Sequence, residues 1–168
     1  MEYTIIYSNR KTLSLTVKDA SVIVRSPYGL GRSVIESFVK SHEKWIYEKL
    51  EIQRKRKEKF SEISPTDVAR LKVEAKKYFE EKTRAYSDIM GLKYGRIKIT
   101  SAKTRFGSCN SNGTVCFSYR LMLYPEAARE YVIVHELSHL VYMNHSRDFY
   151  KLVEQYMPDY KERKRLLK

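Results

Sequence analysis

The chain has 168 residues, with 33 Lys and Arg against 20 Asp and Glu, a formal net charge of +13, 42% apolar and 32% charged residues. Its 14 Tyr, six Phe and one Trp, with no low-complexity tract or internal repeat, exclude a disordered chain, and no apolar run approaches the roughly 20 residues that cross a bilayer. The Met-Glu-Tyr-Thr start lacks the basic-then-apolar layout of a signal peptide, and the two cysteines, read as reduced, are too few to staple such a domain, so a soluble, cytoplasmic protein is expected.

The first 25 residues alternate as strands do: Tyr3, Ile5 and Tyr7, then Leu13, Leu15 and Val17, then Val22 and Val24, with polar turns between. This pattern predicts a three-stranded meander. After Ser26-Pro27-Tyr28-Gly29, the positions Ile35, Phe38, Val39, His42, Trp45, Ile46 and Leu50 recur at three- and four-residue steps and predict one amphipathic helix. Gln53–Lys59 extends it as a charged segment with no apolar stripe, read as a solvated helix end or linker. A second helix is signalled by Ser64 as cap, Pro65 at its first position and Asp67 three residues after the cap. Its apolar face is Val68, Leu71, Ala75, Tyr78 and Phe79, and Gly91 can close it in the left-handed conformation. Ile97 and Ile99, then Thr114–Tyr119 with Asn112-Gly113 as a turn signal, predict a small sheet. Pro125 and Glu126 open a third helix containing Tyr131, Val132, Val134 and Leu140.

That helix holds the most informative residues of the chain. Three of the four histidines, His135, His139 and His145, fall close together, and His135-Glu136-Leu137-Ser138-His139 is an H-E-x-x-H string that puts two imidazoles one turn apart on one face. Both can reach a single metal ion, and Glu136, beside the first, can take a proton from a metal-bound water without coordinating. Catalytic zinc needs three protein ligands and an open position. His145 is the natural third, with Glu154 downstream as its rival. Six residues past His139, His145 requires the chain to turn back: Asn144 can end a helix in the left-handed conformation, and Ser146 with Asp148 can cap a new one.

Other groups carry weaker signals. Arg105 and Arg120 flank the small hairpin and are candidate partners for a substrate carboxylate, a phosphate or a developing oxyanion, or for a structural salt bridge. Ser108 and Cys109 read as loop-shaping residues, Cys109 and Cys116 as small buried groups, His42 as a satisfied packing residue, and Tyr142 and Tyr150 as packing residues or, as the weaker signal, hydrogen-bond donors to an oxyanion. The basic runs Arg54–Lys57 and Lys161–Arg165 read as solvated faces or as a phosphate-binding surface.

Four stretches together resemble the YgjP-like metallopeptidase domain family, related to the SprT-like and WLM-type zinc proteases: Arg25-Ser26-Pro27 with the Trp45-Ile46 helix, Thr104–Cys109, Tyr131–Leu140, and Asn144-His145-Ser146 leading to Phe149. The resemblance implies an α+β, zincin-like domain, with the family's zinc ligands on His135, His139 and His145 and its general base on Glu136. Phe106 stands where the family usually has Trp, and Ser118 where an Asn is common. The expected organisation is an N-terminal meander plus helix over 1–60, packed on a zincin-like catalytic domain over 61–168. The expected function is zinc-dependent hydrolysis of protein or peptide. Two alternatives rest on the net charge: hydrolysis of nucleotides or other phosphoesters, and non-specific binding of nucleic acid with a vestigial or recruited protease site. No motif specifies an oligomeric state.

Overall fold

In the computed structural model, which describes residues 1–61 and 63–167, apolar alternation at the N-terminus produces strands β1 (Thr4–Ser8), β2 (Ser14–Lys18) and β3 (Ser21–Pro27). Their order is β1-β3-β2, with β1 parallel to β3, so the expected meander is corrected to a mixed sheet. The physical reason lies in β3. Val22, Val24 and Ser26 are its buried face, and burial favours that strand in the middle, where both edges are hydrogen-bonded. The β2–β3 turn holds Asp19 (φ 50°) and Ala20 (φ 61°) in the left-handed region, the geometry of a two-residue hairpin.

The predicted first helix is two helices, α1 (Arg32–Ser41) and α2 (Glu43–Ser61), separated at His42. Ile35, Val39 and Ile46 are buried against Val22 and Val24. His42 is exposed, with Nδ1 2.8 Å from the Phe38 carbonyl and its ring 4.5 Å from that of Phe38, so it packs at the surface and not in the core. The charged end of α2 stays helical and does more than meet solvent. Gln53 donates to the Val17 carbonyl (2.8 Å) and accepts from the Ala20 amide (3.1 Å), clamping the strained turn from both sides. The Lys59 side chain of that segment lies outside the described residues.

The chain divides into two compact units, Met1–Glu62 and Ile63–Lys168, and Glu62 and Lys168 themselves lie outside the described residues. The second unit begins with α3 (Pro65–Met90), capped by Ser64, whose hydroxyl accepts from the Asp67 amide, and ended by Gly91 at φ 64°. Leu71, Ala75, Phe79, Thr83, Ser87 and Met90 form its buried stripe. Strands β4 (Arg96–Thr100), β5 (Gly107–Cys109) and β6 (Thr114–Ser118) make a second mixed sheet, order β4-β6-β5, in which β6 is parallel to β4 and antiparallel to β5. Phe79 of α3 stacks on Phe117 of β6 at 4.4 Å, which joins helix to sheet. Each large side chain buried in this way contributes roughly 1.5–3 kcal/mol. A short 3-10 turn over Tyr119–Leu123 leads to α4 (Glu126–Ser138), then α5 (Arg147–Tyr156) and α6 (Tyr160–Arg165). The architecture is α+β. Among the described residues no helix is long and apolar enough to cross a membrane.

Candidate metal centre

Helix α4 is buried on almost every side: Tyr131, Val132, Ile133, Val134, Glu136, Leu137 and Ser138 all lose their solvent contact. An interior helix of this kind fixes its side chains by packing, so polar groups on it have defined positions. His135 points from its last turn, and His139 stands at its C-terminal cap, 8% exposed. The chain turns at once, with the amides of Val141 and Tyr142 bonding to the Ser138 carbonyl. Asn144 has no positive φ, so the left-handed stop expected there does not form; the hydrogen-bonded turn at 138–142 replaces it. Ser146 caps α5 by accepting from the Phe149 amide at 3.3 Å, which delivers His145 to the end of α4.

The three imidazoles form a near-equilateral triangle. Ring centroids are 5.0 Å apart for His135 and His139, 4.9 Å for His135 and His145, and 4.8 Å for His139 and His145. Fully buried Phe149 closes the base of the triangle, its ring 4.9, 4.6 and 5.0 Å from the same three rings. One nitrogen from each histidine lies within 4.8 Å of the others. His139 Nδ1–H donates to the Tyr142 carbonyl at 2.9 Å, which leaves its Nε2 lone pair for the cluster. His135 Nε2 is 3.0 Å from His145 Nε2, and its Nδ1 is 3.3 Å from the Tyr131 hydroxyl, so its ring is held from behind in the same manner. Burial, reinforced by the neighbouring His139, His145 and Lys164, pushes the pKa of His135 down to about 3, and burial also lowers that of His145. Neutral imidazole is the form that binds metal. Three imidazole nitrogen donors with no carboxylate among them are a donor set that suits zinc.

Glu136 lies 5% exposed on α4, and burial pushes its carboxyl up to about 8, with Arg105 pulling in the other direction. It owes its space to Gly107 on the edge strand β5. A Cβ at residue 107 would sit 2.7 Å from Glu136 Cγ and 2.8 Å from Cδ. Gly107, Ser108 and Cys109 are therefore strand residues, which corrects the loop reading. Both cysteines are free and half-buried. Arg105 is exposed just before β5. Arg120 donates to the carbonyls of Ser101 (2.8 Å) and Ala102 (3.4 Å), Ser118 donates to Ala102 (2.9 Å), and together they tie down the loop that leads to Arg105. Glu154 is exposed on α5 and does not join the histidine cluster.

The YgjP-like, metallopeptidase domain family matches residues 68–168. The chain belongs to that family. The matched region contains α4, the histidine triangle and strand β5 beside Glu136, so three of the four stretches that carry the resemblance fall within it, and the Arg25-Ser26-Pro27 and Trp45-Ile46 stretch lies outside. Among solved structures, the metallopeptidase zymogen abylysin of Pyrococcus abyssi is similar, with 25% identity and a TM-score of 0.47 over 51% of this chain and 88% of that one. No curated protein matches.

Sequence reasoning found the histidines of this YgjP-like chain but missed what holds them. Tyr131 was readable in principle, because it lies one turn before His135 on the same helix face. Phe149, Gly107 and the Tyr142 carbonyl were not, since their roles follow from tertiary contact.

Proposed function

We propose that the protein is a zinc-dependent peptidase in which His135, His139 and His145 hold the ion and Glu136 is the general base. The observation that carries this reading is the triangle of imidazoles, each with a ligating nitrogen within 4.8 Å of the others, beside a buried glutamate on the same helix. When bound, zinc supplies Lewis-acid polarisation of the scissile carbonyl and acidifies the attacking water. The remaining steps belong to the chain. Glu136 Oε takes the proton from the attacking water and passes it to the leaving amine nitrogen. Tyr131 and the Tyr142 carbonyl keep the imidazole tautomers fixed, and Phe149 keeps bulk water from the rear of the cluster. The phosphoester and nucleic-acid readings draw on net charge and the two basic runs. Within the two basic runs, Arg54 bridges Glu51 (2.7 Å) and Glu58 (2.6 Å), and Arg163 bridges Glu130 and Asp159, so one cation of each run is engaged by carboxylates.

Elemental analysis and peptide cleavage test the proposal together. The parent is expected to bind one zinc per chain and cleave a denatured protein substrate, with activity lost to a chelator and restored by zinc. Glu136→Gln should keep the zinc and lose turnover, and His139→Ala should lose the zinc. Full zinc occupancy in His139→Ala refutes the ligand set, and activity in Glu136→Gln refutes the base.

A further inference from the structure

Helix α6 brings one cation to the histidine cluster that the proposed chemistry does not use. Lys164 lies with Nζ 5.5 Å from the centroid of the Tyr150 ring, and that ring stacks on His145 at 6.1 Å. The stack continues behind: Tyr150 lies on Tyr160 at 5.9 Å, and Tyr160 on Tyr131 at 6.5 Å. Tyrosines thus connect α6 to the metal helix and set where Lys164 stands. Its neighbour Arg163 is neutralised by Glu130 and Asp159, but Lys164 has no carboxylate partner among the described residues. Its charge is felt by His135 and by His145. Glu136 in turn feels the charge of Arg105.

A cation beside a three-histidine centre opposes the binding of a dication, so it contributes favourably only when an anion comes between them. The aromatic face beneath Lys164 holds the ammonium by cation–π attraction without neutralising it, which leaves its N–H donors for a ligand. We propose that Lys164, seated on Tyr150, is a specificity residue that binds a substrate carboxylate beside the scissile bond. The carboxylate is either the C-terminus of the peptide or an acidic side chain. This rests on the peptidase reading and narrows its substrate class to peptides anionic next to the cleavage point.

The test uses zinc-loaded full-length Glu136→Gln protein, in which binding is read without turnover. Calorimetry compares three probes: acetyl-trialanine, its C-terminal amide, and the amide of acetyl-Ala-Glu-Ala. One of the two carboxylate probes is expected to bind at least about tenfold more tightly than acetyl-trialanine amide, as a charge-assisted hydrogen bond implies. Preference for acetyl-trialanine points to the chain terminus, and preference for the glutamyl amide to a side chain. The preference should vanish in Lys164→Gln, survive in Lys164→Arg and in the control Lys161→Gln, and weaken in high salt. In the absence of peptide, Lys164→Gln should bind zinc about threefold more tightly, since a like charge has gone. Equal binding of all three probes, a preference that survives Lys164→Gln, or unchanged zinc affinity in that variant overturns the proposal. Absence of zinc from the parent overturns this proposal and the peptidase reading together, whereas zinc with equal probe binding overturns only the role of Lys164.

Discussion

Replacing Gly107 by Ala tests the idea that β5 is shaped around Glu136. The added Cβ would lie 2.7 and 2.8 Å from Glu136 Cγ and Cδ, against about 3.5–4.0 Å for a relaxed carbon pair. Overpacking of this size costs roughly 1–3 kcal/mol. The loss of glycine entropy in the unfolded chain returns roughly 0.4–1 kcal/mol, and Gly107 needs no positive φ, so no backbone strain adds to the cost. A net destabilisation of about 1–2 kcal/mol is expected, which lowers the melting temperature of a unit this size by about 4–12 °C. The decisive measurement is a double-mutant cycle. In a Glu136→Ala background the clashing atoms are gone, so Gly107→Ala should there be neutral or stabilising. An equal cost in both backgrounds would show that Gly107 answers to some other neighbour.

Two further outcomes follow from groups around the site. Burial, with Glu136 and Cys116 nearby, pushes the Cys109 thiol up to about 11, which favours its neutral form. Iodoacetamide should therefore label Cys109 slowly and almost evenly from pH 7 to 9, with the rate climbing toward 11; a mapped half-titration near the ordinary 8.5 would refute it. Glu130 joins three helices, bonding Lys82 of α3 at 3.2 Å and Arg163 of α6 at 2.8 Å, with its side chain 17% exposed. Lys82 keeps Glu126 and Arg163 keeps Asp159 when Glu130 is changed, so Glu130→Gln should lose only about 1 kcal/mol. An unchanged melting temperature would remove it as a link between the helices.

Local chemistry made part of this molecule readable in advance. Ser64, Pro65 and Gly91 bound α3 because caps act within one turn, and Ser146 opens α5 for the same reason. The i, i+4 spacing of His135 and His139 needs only a helix to bring the rings together. What depends on distant parts of the chain was hidden. A strand pattern says which face is buried but not which strand lies beside which, so the parallel pairing of β1 with β3 could not be read from alternation. Strand β5 is three residues of Gly-Ser-Cys, with little strand propensity, and it exists because β6 offers it a partner. The break at His42 left no trace, because Ile35, Val39 and Ile46 keep helical spacing across it.

The rings of His135 and His139 are oriented by groups of different heritability. His139 leans on the carbonyl of Tyr142, which every amino acid supplies, so drift at residue 142 leaves that anchor in place. His135 leans on the hydroxyl of Tyr131, which one nucleotide change to a phenylalanine codon erases. Variation in metal affinity among descendants of this sequence therefore has an easy route through residue 131 and a closed one through residue 142.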